Sequence, residues 1–275
     1  MILTHKNGAS FYQFESLAQF SEIRHGIFTR HFGYSRAPFA SLNVSFGLGD
    51  CNEHIEQNRR VIARAMGGDN LVCARQVHGH QVLILNPDPS GDGDGGFLPA
   101  GTGDAMVTDT AGKLLMMQLA DCQSILLYDP ARQVVANIHS GWRGSIKNIA
   151  GRTVNAMKKH FGSDPAHLLA GIGPSLGPCC AEFVHYRKEI PERFWSYKVG
   201  QHHFDFWAIS RDQLCAGGVL PDHIENSDIC TRCHTALFFS YRGEGQTGRF
   251  ASVIGLNRQV AVADCDCAKY EKNKP

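Results

Sequence analysis

The stretch that most constrains this chain covers residues 114–144, LLMMQLADCQSILLYDPARQVVANIHSGWRG. It holds two apolar runs, each ending on a group able to bind a metal or act as a nucleophile. The first, 114–120, delivers Asp121 and Cys122; the second, 134–138, delivers His139 and then a Ser-Gly-Trp-Arg-Gly turn. Apolar runs of this length read as strands, and a polar residue at a strand end sits at a sheet edge, where sites are built. Between them, 124–128 reads as a further strand and Asp129-Pro130 as a turn. The pattern predicts that Cys122 and His139 face each other across neighbouring strands.

With 275 residues, 43% apolar and 19% charged, the chain has ample material for a core. It shows no internal repeat or charge-block linker, which favours one domain over 1–275. A net charge of +1 gives no electrostatic footing for nucleic acid or an anionic membrane. No apolar run nears the roughly 20 residues of a membrane span. The opening MILTHKNGASFYQFES lacks the basic-then-apolar order of a secretion signal. Ten cysteines without such a signal point to the reducing cytoplasm, where thiols bind metal, catalyse or pack. No heptad or exposed apolar helix stands out, so a monomer is expected.

Along the chain, 1–25 reads as an opening strand and then a helix or turn over 14–23. Residues 25–50 read as a strand and a long glycine- and aromatic-rich loop. Its Arg30, Ser41 and Asn43 stand where a binding loop would carry them, or else cap turns. Apolar periodicity predicts a helix over 53–66, stopped by Gly67-Gly68, with Arg59 on the apolar stripe snorkelling outward. Residues 71–85 read as two strands around Arg75-Gln76-Val77-His78-Gly79-His80. Residues 87–103 read as a Gly/Asp-rich loop without the Gly-Lys-Ser/Thr ending of a phosphate loop, and 104–109 as strand. A helix follows over 146–161, then a strand and a Gly/Pro-rich turn bearing Cys179-Cys180. Residues 204–216 read as a short strand and helix, and 230–256 as a helix or loop and a closing strand.

His78, Cys122 and His139 form a set that suits zinc and leaves a fourth position for water or substrate. Without metal, the same residues suit a cysteine nucleophile with a histidine base. A third possibility is plain packing, since the three lie far apart in sequence. Asp121 is placed to orient a ligand histidine or to cap a turn. Arg143 either points at an anion or stacks on Trp142. Cys230 and Cys233 have the spacing of half a zinc clip. Its other half would have to come from Cys179-Cys180 or Cys265/Cys267, neither of which has the Cys-x-x-Cys form.

Taken in order, RQVHG (75–79), GDAMVTD (103–109), ADCQSILLYDP (120–130), IHSGWRG (138–144), GIGPSLGPCC (171–180) and FFSYRGEGQTGR (238–249) resemble one family. With TR at 29–30 and SLNVSFGLGD at 41–50, the chain is similar over about 25–255 to the YfiH/YlmD-like proteins. These are also called the polyphenol oxidase or laccase-domain family. The resemblance implies an α+β fold, a mixed β-sandwich in α/β/β/α layers, distantly like bacterial toxin deamidase domains. It also implies zinc on His78, Cys122 and His139. One departure stands out: after Arg30 the family commonly has a variable residue and two glycines, whereas here Phe32 replaces the first of them.

The function the resemblance implies is zinc-dependent phosphorolysis of purine nucleosides (adenosine, inosine, guanosine, methylthioadenosine), with adenosine deaminase activity. Cys122, His78 and His139 then form the catalytic centre, and Arg30, Asn43 and Arg143 bind substrate, with Arg75 a further candidate. Three alternatives stand beside it. A copper polyphenol oxidase would use the same trio, although multicopper oxidases rely on repeated His-x-His pairs and only His78-Gly79-His80 has that form. An amidase acting on cell-wall precursors would use Cys122 as nucleophile. A redox- or metal-responsive binding protein would show no turnover.

Overall fold

The computed structural model describes residues 1–68, 70–85 and 97–258. Its strands are β1 (Ile2–Lys6), β2 (Ala9–Gln13), β3 (Ile23–Phe28), β4 (Asn70–Arg75), β5 (Val82–Ile84), β6 (Phe97–Thr102), β7 (Ala105–Thr108) and β8 (Lys113–Leu119). They continue as β9 (Gln123–Asp129), β10 (Val134–Ser140), β11 (Leu169–Ile172), β12 (Lys198–Val199), β13 (His203–Phe204), β14 (Ile224–Asn226) and β15 (Phe250–Leu256). Seven form one sheet in the order β1-β2-β3-β15-β8-β4-β6. Six form a second, β14-β11-β9-β10-β7-β5, and β12 and β13 pair by themselves.

The period-two pleat explains why two sheets pack face to face. In β8, Leu115, Met117 and Leu119 turn inward and meet Met106, Leu126, Tyr128 and Val135 of the second sheet. The alternate residues Leu114 and Met116 turn outward onto Val61 and Ile62 of the helix Asn52–Ala65 and onto Met66 at its C-cap. Ile125, Leu127, Val134, Ala136 and Ile138 turn outward from the second sheet onto Ile149, Val154 and Met157 of the helix Ile149–Phe161. The layers are therefore α/β/β/α, as the family resemblance implied. Each such aliphatic side chain, buried fully, contributes about 1.5–3 kcal/mol before entropy is counted.

One polar residue crosses the inter-sheet core. Asn137 Nδ2 donates to the carbonyls of Leu115 (2.9 Å) and Ser252 (3.0 Å) in the opposite sheet. Its Oδ1 accepts from the Ser124 and Ser252 hydroxyls. Every polar atom of the buried amide is satisfied, so it fixes the register between sheets without an orphaned group.

Several expectations need correction. Arg59 does not snorkel: it is buried, donates from Nε to the Val44 carbonyl at 2.9 Å and stacks on Phe46. Beside it, Asn58 accepts from Tyr34 N and donates to Ser35, Ser41 and Asn43, so this helix has a polar seam that pins the 34–46 loop. Residues 97–102, expected as loop, form β6, parallel to β4; residues 87–96 lie outside the described residues. Of residues 14–23, read as a helix or turn, Glu15–Ala18 forms a single helical turn.

The 146–161 helix is two, Trp142–Ile146 and Ile149–Phe161. Asn148 separates them in the left-handed region (φ 58°), where its side chain caps the second by accepting from Gly151 N. Phe32, standing where the family has glycine, takes φ 65°, a glycine-like backbone carried by an aromatic residue.

Candidate metal centre and its cavity

The pleat that builds the core also builds the site. On β10, Val135, Asn137 and His139 share the inward face. On β9, Tyr128, Leu126 and Ser124 do, and Cys122 lies one step before that strand. His139 pairs with Ser124 in register, so Cys122 and His139 lie diagonally across neighbouring strands at one end of the sheet interface. His78 joins them from the turn between β4 and β5. The three ligand atoms all lie within 4.8 Å of one another.

Asp104, which sequence reasoning passed over, organises this cluster. Its Oδ1 accepts from His139 Nδ1 at 2.8 Å and from the His78 backbone N–H at 2.9 Å. Its Oδ2 accepts from Gly79 N at 2.7 Å, and Val77 N also points at the carboxylate. The carboxylate thereby holds His78 in its left-handed backbone (φ 56°). Because a carboxylate only accepts, His139 carries its proton on Nδ1 and turns Nε2 toward Cys122. The only sequence signal for Asp104 was its place at the head of β7, in GDAMVTD, beside the end of β10.

Asp121, read as orienting a ligand histidine or capping a turn, accepts from the 230–242 segment and bonds no ligand histidine. It adopts φ 79° and accepts from the Thr231 and Ser240 hydroxyls (both 2.7 Å) and from Arg242 N (2.6 Å). It ties the 230–242 segment against the strand end that presents Cys122.

Charge couples the centre. Burial alone would push the Cys122 thiol up, but His139, by charge and hydrogen bond, and then His78 bring it down to about 6. Burial likewise opposes protonation of His139, yet Cys122 and Asp104 raise it to about 9. Burial would raise Asp104 too; the His139 ring and the amides of Gly79 and Val77 hold it below the usual carboxylate range.

Whether the trio fits a metal is tested by Gly141. Its φ of −74° suits any residue, but a Cβ there would stand 2.9 Å from His78 Cδ2 and 3.0 Å from Cys122 Sγ. The glycine keeps open the space the three donors surround. Two imidazoles and a thiolate are a zinc-type set with one position left over. The residues present fit a zinc ion. His80 belongs to no metal-capable group among the described residues.

The trio lines a cavity of about 800 Å³. Arg75, Arg143, Arg242 and Arg249 are among its lining residues, as are Phe46, Phe183 and Tyr241; Arg242 Nη1 also donates to the Glu182 carbonyl and Arg249 Nη1 to those of Thr247 and Gly248. Arg143 stacks on Trp142 at 4.3 Å, the second of its two readings, and also lines the cavity. Arg249 is pressed down by burial, against the opposing charges of Cys122 and Asp121.

The structure places two sequence candidates elsewhere. Arg30 is not among the lining residues: it is paired with Glu244 at 2.8 Å, donates to the Ala40 and Thr235 carbonyls and stacks on Phe239. Asn43 is fully buried, bonding Ser45, Asp50 and Arg249 N. Both brace the loops around the cavity. Arg242 and Arg249 were missed because their segment carries no periodic signal.

A two-sheet sandwich with this Cys/His centre defines a class that the whole sequence corroborates. Residues 24–257 match the family described as multi-copper polyphenol oxidoreductase laccase, and the chain belongs to it. It is 37% identical over 248 residues to the purine nucleoside phosphorylase YlmD of Geobacillus stearothermophilus, spanning 85% of this chain and 90% of that one. It is 32% identical over 242 residues to the purine nucleoside phosphorylase YfiH of Escherichia coli, spanning 83% and 91%. The crystal structure of YlmD from Geobacillus stearothermophilus superposes with a TM-score of 0.80 at 32% identity, over 93% of this chain and 98% of that one. The hypothetical protein YfiH of Bacillus licheniformis superposes with 0.80 at 28%, over 91% and 97%.

Proposed function

We propose that this chain is a zinc-dependent purine nucleoside phosphorylase. The observation that carries the reading is the convergence, in one cavity, of a His-Cys-His donor set with four arginines. Relatives named purine nucleoside phosphorylase support it.

Phosphate enters as a dianion, and the guanidinium groups of Arg75, Arg143, Arg242 and Arg249 suit it. Phe46, Phe183 and Tyr241 offer faces on which a purine stacks. A phosphate oxygen then bonds to the anomeric carbon as the glycosidic bond breaks. The electron pair leaves with the purine, which takes up a proton, and ribose 1-phosphate remains. His78, Cys122 and His139 would hold the zinc, which supplies Lewis acidity and lowers the pKa of a coordinated water toward about 7. That second property suits hydrolytic deamination of adenosine in the same cavity. Adenosine, inosine, guanosine and methylthioadenosine are the substrates proposed.

The test is product chromatography with adenosine and inosine, with and without phosphate, on metal-quantified protein. Free base appearing only with phosphate supports phosphorolysis. Inosine forming from adenosine without phosphate assigns deamination. No product from either nucleoside overturns the reading.

One observation favours a second reading. Cys122, His139 and Asp104 stand in the order of a nucleophile, base and orienting carboxylate. An amidase built on this trio predicts a covalent adduct on Cys122 in metal-free protein exposed to an activated amide.

A further inference from the structure

Away from the cavity's donor trio, four cysteines from two separate segments converge. Cys179 and Cys180 lie in the turn after β11, and Cys230 and Cys233 in the segment after β14. All four sulfurs lie within 4.8 Å of one another. Cys233 Sγ is 3.7 Å from Cys179 Sγ and 3.6 Å from Cys180 Sγ. We propose that these four cysteines bind one structural zinc ion, distinct from the His78/Cys122/His139 centre.

The distances decide between the available chemistries. A disulfide requires a sulfur separation of about 2.05 Å, far shorter than those seen, and all four cysteines are free. A zinc–sulfur bond of about 2.3 Å in a regular tetrahedron sets its sulfurs about 3.8 Å apart. The Cys233–Cys179 and Cys233–Cys180 separations of 3.7 and 3.6 Å match that edge, and the rest lie within 4.8 Å. An iron–sulfur cluster attaches each thiolate to a different iron and spreads the sulfurs wider, so a single ion suits this quartet.

The backbone is arranged for it. The Cys180 and Ala181 N–H groups both donate to the Gly177 carbonyl at 2.9 Å, closing the turn that aims two consecutive cysteines at one point. Gly177 is required by space, since a Cβ would stand 2.7 Å from the Trp207 ring and 3.1 Å from Cys230 Cβ. Sequence spacing left Cys179-Cys180 and Cys265/Cys267 both open as the other half, because adjacent cysteines lack the two-residue gap of a zinc clip.

The location gives the ion a role. Ser175 and Cys230 are bridged, with Ser175 N donating to Ile229 O and Thr231 N to Ser175 O. The first segment continues into Leu176, Ala181 and Phe183, and the second leads to Tyr241 and Arg242, all of which line the cavity. Four-ligand closure is the mark of a structural zinc, and here it staples two walls of the cavity.

The test is metal stoichiometry by mass spectrometry on freshly purified full-length protein, with zinc supplied during expression. Wild type should hold about two zinc ions per chain. Cys122→Ala should keep one, Cys179→Ser/Cys233→Ser one, and the three changes together none. Cys179 and Cys233 are exposed, so serine there removes ligands without opening the core. Cobalt added to metal-free Cys122→Ala should give the intense visible bands of a tetrahedral thiolate site. A folded Cys122→Ala chain that binds no zinc would overturn the proposal. So would a Cys179→Ser/Cys233→Ser chain with undiminished zinc, or a weak octahedral cobalt spectrum.

Discussion

Asp104 and His139 are joined twice: the His139 backbone N–H donates to the Asp104 carbonyl at 2.7 Å, and its Nδ1 donates to the Asp104 carboxylate at 2.8 Å. Strand pairing and imidazole orientation are thus set by one residue, whose other contacts hold the turn that carries His78. Replacing Asp104 by Asn keeps the shape but removes the charge. We expect zinc affinity at this centre to fall about 10–100-fold, measured by competition with a chelating dye. Undiminished affinity would show that the carboxylate orients nothing.

Gly141→Ala is expected to abolish zinc binding at the same centre while leaving stability to urea within about 1 kcal/mol of wild type, since the added Cβ intrudes on His78 and Cys122 and the backbone is unstrained. Metal content read beside an unfolding curve separates this from general damage. Full metal content in the variant would mean that the cradle yields.

In metal-free protein, alkylation of Cys122 should rise with a midpoint near pH 6, read by mass spectrometry of its peptide. In His139→Ala the midpoint should move up toward the ordinary thiol value of 9.0, because the strongest influence lowering it is gone. An unmoved midpoint would contradict the pairing.

His25 is buried, and its Nε2 accepts from Phe14 N at 2.9 Å. Burial, only partly offset by Glu225, lowers its pKa from 6.5 to about 4. The unfolded chain therefore binds this proton more readily. The contribution is complete above about pH 6.5 and is lost as pH falls through about 4, on the order of 3 kcal/mol in all. Urea unfolding between pH 7 and 4 should show a shallower loss in His25→Gln than in wild type. Equal slopes would rule the histidine out.

Arg249→Ala should raise the KM for phosphate about tenfold or more while changing that for nucleoside less, because a guanidinium is matched to an anion. The two constants, measured separately, check it. Equal changes in both would place Arg249 against the nucleoside instead.

How much of this was legible beforehand follows from the range of each interaction. The apolar runs at 114–120 and 134–138 marked the strands and put Cys122 and His139 at their ends, across neighbouring strands, because a short apolar run is a local property. The helix Asn52–Ala65 and its glycine stop were legible for the same reason. His78 was named with them for its chemistry, and only the family motif tied it to them, since nothing local links it to residues some forty or sixty positions on.

Tertiary structure alone decided the rest. Arg59 and Arg30 read as free cations in the chain, yet both are satisfied by carbonyls brought from distant loops. Asp104, assigned no part from sequence, orients His139, and Asp121 holds the 230–242 segment instead, because a carboxylate serves whichever donors the strand ends bring to it. The four cysteines became a site only when two loops crossed. Sequence determines the direction a side chain takes from its own strand or helix; only packing of the two sheets and their loops determines which group it meets there.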